Sequence, residues 1–425
     1  MHIYFSGIGG VGLGPLAEIA LDAGYQVSGS DTQDGPMTEL LKKRGVAIAI
    51  GQDGSHIKDL HASHPIDWFV HTAALKSDHP ELTFAHRAEI RISKRDELLA
   101  QIITDKNLQL IAIAGTHGKT TSTGMVVWLL KQLGIPVSYS IGTTVSFGPS
   151  GSFDPSSRYF VYECDEFDRN FLNFYPTVSL VTAIDYDHPD TYPTQQEYLA
   201  AFAQFVGQSQ KTIMWEKDAQ SLPQPLAAPV TVLSDTESNR VQLPGQHNRQ
   251  NAWLAVTAVA ELTGKDSLEL AQRMQNFPGT HRRFEKLAPN LYSDYGHHPV
   301  EIAATLQMAR ELSDHVVLVY QPHQNIRQHE IKTQYADCMR EAEMIYWLPT
   351  YLSRENPSLP ILSPQELSDT LTNRESVVIS DLNEELWQHI QNELGAGSLV
   401  VAMGAGSIDA WLRQHVAALP AKNKS

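Results

Sequence analysis

The strongest constraint on the fold is the segment Gly115-Thr116-His117-Gly118-Lys119-Thr120-Thr121, set between the apolar run Leu108–Ala114 and the helical pattern Thr120–Leu133. A buried strand that turns into a helix through glycines gathers backbone N–H groups and a helix N-terminus at one point. That point offers fixed positive dipole to phosphate oxygens. Lys119 is placed to reach β and γ phosphates, and the Thr120 hydroxyl to bind a Mg²⁺ that bridges them. The full pattern has a glycine five residues before Gly118, where Ile113 stands, so the loop is a shortened variant.

A second strand–turn–helix lies at the N-terminus. Gly7-Ile8-Gly9-Gly10-Val11-Gly12 fits G-x-G-x-x-G between the strand pattern His2–Ser6 and the helical pattern Leu16–Ala23. Asp31 follows Gly12 by 19 residues, at the end of the next strand. Read alone, this is the dinucleotide fingerprint with its ribose-binding acid, and it suggests a nicotinamide or flavin oxidoreductase. The chemistry it specifies is broader: a diphosphate on a helix N-terminus and a sugar hydroxyl on an acid. A UDP-sugar meets both demands. Two phosphate loops in one chain favour an ATP-driven enzyme with a nucleotide-linked substrate over a dehydrogenase.

Strand and helix patterns alternate from end to end, and three α/β blocks emerge: 1–106, 107–284 and 285–425. The expected fold is three domains in series: an N-terminal Rossmann-like domain, a central P-loop ATPase-like domain and a C-terminal Rossmann-like domain. Further strands are expected at Tyr159–Glu163, Val178–Ile184, Val316–Tyr320, Met344–Leu348, Ser376–Ser380 and Ser398–Met403, with Pro223–Asn239 as surface connections. Two acidic loops follow strands behind the phosphate loop. In Glu163-Cys164-Asp165-Glu166-Phe167-Asp168, Glu163 is the favoured Mg²⁺ ligand; in Asp185-Tyr186-Asp187-His188, His188 is a further metal or phosphate contact. Phe167, Phe171 and Phe174 read as packing.

The net charge of −16 argues against bulk nucleic-acid binding and against an anionic membrane surface. No apolar run reaches the length of a membrane span, and the N-terminus lacks the basic region of a secretion signal. The two cysteines, Cys164 and Cys338, make neither a disulfide framework nor a metal cluster. A cytoplasmic enzyme is expected, as a monomer or homodimer.

Taken in order, these segments resemble the Mur ligase family of peptidoglycan synthesis. The likeness covers essentially the whole chain: the N-terminal glycine run with Ser28-Gly29-Ser30-Asp31, the phosphate loop, the two acidic loops, and Gly245-Gln246-His247-Asn248 with Asn251. It continues through His281-Arg282-Arg283-Phe284-Glu285, Asp294-Tyr295-Gly296-His297-His298-Pro299, Gln321-Pro322-His323, Arg327 and Gly404-Ala405-Gly406. The resemblance implies ATP-dependent ligation of L-alanine to the carboxylate of UDP-N-acetylmuramate through an acyl phosphate. It implies that Lys119 stabilises the transferring phosphoryl group and that Thr120, Glu163 and His188 hold Mg²⁺. Gly115, Thr116, His117, Gly118 and Thr121 complete the ATP loop. Asn248 and Asn251 face the adenine side, Arg283 reaches the phosphates and Asp294 contacts the ATP ribose. Gly9, Gly10, Val11 and Gly12 cradle the UDP end with Asp31 and Thr72. His298, His323 and Arg327 line the place where substrate and amino acid meet.

The chain departs from the family pattern at Cys164, where alanine is common, and at Ser293, where an aspartate often precedes Asp294. It departs more seriously at Gln324. An arginine usually follows Gln321-Pro322-His323, and glutamine cannot replace its charge against an amino-acid carboxylate. Either Arg327 takes that task, with Arg282 and Arg283 as weaker substitutes, or the amino acid is another, such as glycine or serine. The alternatives to an alanine-adding enzyme are a recycling ligase that attaches a tripeptide to UDP-N-acetylmuramate, a nicotinamide-dependent oxidoreductase, and a non-catalytic UDP-sugar sensor.

Overall fold

The computed structural model describes residues 1–72, 75–353 and 355–419, and these build three open sheets. In the first, β1 (His2–Ser6), β2 (Gln26–Asp31), β3 (Ala47–Ile50), β4 (Trp68–His71) and β5 (Arg91–Ser93) are all parallel, in the order β3-β2-β1-β4-β5. The second contains β6 (Gln109–Ala114), β7 (Val137–Ser140), β8 (Gly151–Ser152), β9 (Tyr159–Glu163), β10 (Val178–Val181), β11 (Thr212–Trp215) and β12 (Val230–Leu233). Its order is β12-β11-β10-β6-β9-β7-β8, with only β8 antiparallel. The third contains β13 (Glu285–Ala288), β14 (Leu291–Asp294), β15 (Val316–Tyr320), β16 (Met344–Trp347), β17 (Val377–Ile379) and β18 (Leu399–Met403). Its order is β13-β14-β18-β15-β16-β17, with only β13 antiparallel.

The expected α/β architecture is therefore present, and its strands show why. Parallel strands with helices on both faces must be apolar on both faces. β1, β10 and β15 are buried along their whole length. The stretch Pro223–Asn239, expected to be surface connections, instead holds the edge strand β12, half-exposed, and a 3₁₀ turn at Asp235–Arg240. Val178–Ile184 also differs: the strand ends at Val181, and beyond it Thr182 N donates to Ala114 O while Ala183 O accepts from Thr116 N of the phosphate loop.

The residues form two compact units. One comprises Met1–Glu237 and Asn251–Phe277, the other Ser238–Gln250 and Pro278 onward. The first unit has a continuous core that runs from Ile3, Phe5 and Val70 through Leu98 and Ile102 to Ala112, Phe160 and Phe171. The second packs Leu318, Tyr335 and Trp347 on one face of its sheet and Val319, Leu386 and Trp387 on the other. Among the described residues no helix is long and apolar enough to cross a membrane.

Candidate active site

β6 delivers the phosphate loop. Gly115 has φ +135° and Gly118 φ +82°, both conformations that L side chains resist. A Cβ on Gly115 would stand 2.3 Å from Thr182 Oγ1, and one on Gly118 would stand 2.6 Å from Asn251 Oδ1. Both glycines are thus required by φ and by space. Neighbouring polar groups hold the loop. Thr116 N donates to Ala183 O at 2.9 Å, Thr116 Oγ1 donates to Asp185 O at 2.7 Å, and the Thr182 hydroxyl donates to His117 O. The helix Lys119–Gln132 starts at the loop and buries Met125, Val126, Val127, Leu129 and Leu130; Gly134, at φ +68°, follows its end.

Lys119 does not project into open space. Its ammonium lies back along the loop, donating to Gly115 O at 2.7 Å, and meets both oxygens of Glu166, at 2.8 and 3.1 Å. Glu166 is fully buried. Burial disfavours the Lys119 charge, but Glu166 and Asp165 outweigh it and hold the ammonium above its ordinary range. Burial likewise opposes the Glu166 charge, and Lys119 outweighs it, so the carboxyl is held low.

Thr120 and Glu163 come together as the sequence predicts. Thr120 Oγ1 donates to Glu163 Oε1 at 2.8 Å, and Gly142 N donates to Oε2 at 2.7 Å. A hydroxyl and a carboxylate at a phosphate loop are the hard oxygen donors that Mg²⁺ takes, so this pair fits that ion. The contacts of His188, at φ +59°, run to Glu166 Oε1 at 3.6 Å and Asp187 Oδ2 at 3.8 Å. Asp165, Glu166 and His188 offer ligand atoms within 4.8 Å of one another. Phe171 and Phe174 are core residues, but Phe167 is 38% exposed and packs edge-on against His188.

At the N-terminal loop, Gly7 N and Ile8 N donate to Ser30 O at 2.8 and 3.0 Å, which bends the chain back over β2. Gly9 N donates to Asp31 Oδ2 at 2.7 Å. Thr72 reaches the same turn: its Cγ2 would be 3.3 Å from a Cβ on Gly7. Val11 is 99% exposed, and Gly12 precedes the helix Leu13–Asp22. Sequence reasoning missed Glu81. This buried carboxylate accepts from Tyr4, Ser6 and Ser30 at 2.7, 2.6 and 2.8 Å, and so fixes the strand ends from which the loop springs. No local motif marks a carboxylate that arrives from a helix 51 residues beyond Ser30.

In the second unit Asp294 closes β14, and both its oxygens are taken by backbone: Phe284 N and Gly296 N donate at 2.7 Å each. Burial raises its carboxyl, with Arg283 opposing. Arg283 and Arg282 lie over the Tyr295 ring, at 5.2 and 4.7 Å, and Arg283 is 3.6 Å from Glu301. Asn248 donates to Pro244 O at 3.3 Å beside Met308. His298 caps the helix Pro299–Leu312, its Nδ1 accepting from Val300 N at 3.4 Å. It is the neighbouring His297 whose Nε2 lies 2.6 Å from Arg327 Nη1, so the ring accepts there. Burial keeps His297 low, as that role requires. His323 stacks on Tyr351 at 5.8 Å and meets His297 edge-on at 5.6 Å. Gln324 holds φ +59° and ψ 118°, a costly conformation for a residue with a Cβ, and its N–H donates to Tyr351 O at 2.9 Å. Ser293, where the family often has aspartate, donates to Asp409 at 2.6 Å.

Comparison with known proteins extends this picture over the whole chain. Residues 2–107 match the Mur ligase family catalytic domain, 113–232 the Mur ligase middle domain, and 282–406 the Mur ligase glutamate ligase domain. A UDP-N-acetylmuramate–L-alanine ligase of Leptothrix cholodnii is 32% identical over 96% of each chain. Among solved structures, the UDP-N-acetylmuramate–alanine ligase MurC of Thermotoga maritima superposes with a TM-score of 0.73 at 23% identity, over 98% of both chains. A murein peptide ligase of Psychrobacter arcticus gives 0.63 at 22%, over 99% of this chain and 100% of that one. The structural matches are likenesses of fold; the sequence relative, alike from end to end, carries the kinship. By that measure and by the three successive domain matches, the chain belongs to the Mur ligase family.

Proposed function

We propose that the chain is a cytoplasmic, ATP-dependent ligase that joins L-alanine to the muramoyl carboxylate of UDP-N-acetylmuramate, within domains bounded near residues 106 and 284. The observation that carries the reading is the loop Gly115–Thr121 with Lys119 in it and the Thr120–Glu163 pair at its helix start. The relative at 32% identity bears the name of this activity.

The residues divide the work as follows. The backbone of Gly115–Gly118 cradles the triphosphate, and Lys119 draws charge from the phosphoryl group as it passes to the muramoyl carboxylate. A carboxylate is a poor electrophile, so an acyl phosphate with a good leaving group precedes amine attack. Thr120 and Glu163, with His188, would hold Mg²⁺, which when bound supplies the counter-charge for the phosphates. Asn251, which a Cβ on Gly118 would meet at 2.6 Å, faces the adenine side together with Asn248 in this reading. The N-terminal loop, Asp31 and Thr72 hold the UDP end. Arg327, oriented by His297, takes the carboxylate of the amino acid, a task Gln324 has no charge for.

The test is a product assay by mass: enzyme, ATP, Mg²⁺, UDP-N-acetylmuramate and an equimolar mixture of amino acids, with phosphate release measured in parallel. A product heavier by one alanyl residue is expected. A glycyl or seryl adduct would move the reading to another amino acid, and turnover only with a tripeptide would make it the recycling enzyme.

A further inference from the structure

The contact between Lys119 and Glu166 has a consequence for how the nucleotide enters and leaves. The ammonium that would meet the phosphates is bonded to both oxygens of a carboxylate that is 0% exposed. The main chain that carries this carboxylate is well fixed. Tyr192 OH donates to the backbone carbonyl of Glu166 at 2.6 Å, and Tyr192 is fully buried. The next residues are held sharply: Asp168 and Arg169 sit at φ 54° and 57°, and Lys94 pairs with Asp168. The backbone at Glu166 is therefore held in place and its carboxylate is buried, whereas Lys119 ends a longer side chain with more rotatable bonds.

We propose that Glu166 is a positioning residue that holds Lys119 while the loop is without nucleotide, exchanges it for the triphosphate on binding, and takes it back as ADP leaves. The inference rests on the nucleotide reading of the loop and deepens it. Glu166 and the triphosphate compete for one ammonium. A lysine held by a buried carboxylate is unavailable to phosphate, so the apparent affinity for nucleotide is the intrinsic affinity reduced by the fraction of loops whose lysine is released. In return the loop stays ordered: an unpartnered buried ammonium would be costly and would drive the side chain out of place. The other charged groups against Lys119 are Asp165 and Glu163, and against Glu166 also His188. None of these is seated on the ammonium as Glu166 is.

The test is calorimetric titration of the full chain with ATP and Mg²⁺, without the acceptor, in native protein, Glu166→Gln, Lys119→Met and the double variant. Glu166→Gln is expected to bind ATP and ADP about three- to ten-fold more tightly than native protein, since the competitor is gone. Its turnover should fall as ADP release slows. The gain should vanish when Glu166→Gln is made in the Lys119→Met background. Unchanged or weaker binding by a Glu166→Gln variant that melts as native protein does would overturn the proposal. So would a gain that persists without the lysine, which would assign the effect to plain repulsion of the triphosphate. If Glu166→Gln melts below the assay temperature, Glu166→Asp replaces it and must shift affinity in the same direction. If native protein binds no ATP at all, it is the nucleotide reading that fails, whatever Glu166 does.

Discussion

At the scale of single residues, the Lys119–Glu166 pair yields a prediction about stability as well as catalysis. Lys119→Ala removes the charge expected to meet the transferring phosphoryl group, and losing one such donor costs about 10²–10³ in turnover. It also strands Glu166, a buried carboxylate, at a cost of about 3–5 kcal/mol. Urea unfolding should show that loss, and Glu166→Gln in the same chain should recover most of it; equal midpoints for the single and double variants would refute the coupling. Two histidines give a pH dependence. His247 and His323 are lowered from 6.5 to about 4, His247 by burial and then Arg283, His323 by burial and then His297. Between those values the unfolded chain binds protons that the folded chain refuses, so stability is lost as pH falls from 6.5 towards 4. Denaturant midpoints measured across that window should drop, and His247→Gln should flatten the slope. The sequence pointed to Lys119, Thr120 and Glu163 because each stands at a fixed offset from a glycine or a strand end. It did not single out Glu166 from the four acids of its loop, because spacing fixes a residue's place along the chain but not the direction of its side chain. For the same reason spacing did not mark His297, whose Nε2 lies 2.6 Å from Arg327 Nη1.

At the scale of elements, Gly118 in the phosphate loop and Gly134 just past the helix after it are both left-handed but differ in what surrounds them. Gly118 has φ +82° and a would-be Cβ 2.6 Å from Asn251; Gly134 has φ +68° and open space. Alanine at Gly134 meets only the backbone penalty, about 1 kcal/mol, and should leave ATP affinity as it is. Alanine at Gly118 must in addition displace Asn251 and distort the loop, so ATP affinity should fall at least about tenfold. Calorimetry on both variants checks this, and equal effects would mean that the loop tolerates the shift. Elements with long apolar runs were legible: β6, β15 and β18 lie where the sequence puts them, because a strand buried on both faces leaves a continuous hydrophobic signature. β12 was not. Its four residues, Val-Thr-Val-Leu, lie at the sheet edge among Pro, Ser and Thr, half-exposed, and their pairing with β11 comes from the sheet rather than from local preference.

At the scale of the whole molecule, three sheets place strand–turn–helix loops at the carboxyl ends of parallel strands, and this much followed from the order of motifs along the chain. On the proposed function, the UDP end and the ATP end would take separate sites on separate sheets, each with its own glycine loop. Ligands that bind only the folded chain stabilise it by about 2.7 kcal/mol at a hundredfold excess over Kd, so each should raise the melting temperature on its own. In a protein of several domains the shift, not an unfolding free energy, is the quantity to compare. Gly9→Val should abolish the shift given by UDP-N-acetylmuramate. A Cβ at Gly9 already lies 2.9 Å from Thr38 and 3.0 Å from Asp31 Oδ2, and a branched side chain forces the loop off that acid. The same variant should keep the full shift given by ATP with Mg²⁺, while Gly118→Ala should show the reverse pattern. If Gly9→Val lost both shifts and yet melted like native protein, the two loops would have to serve one ligand, and the division of labour between the first two sheets would fall.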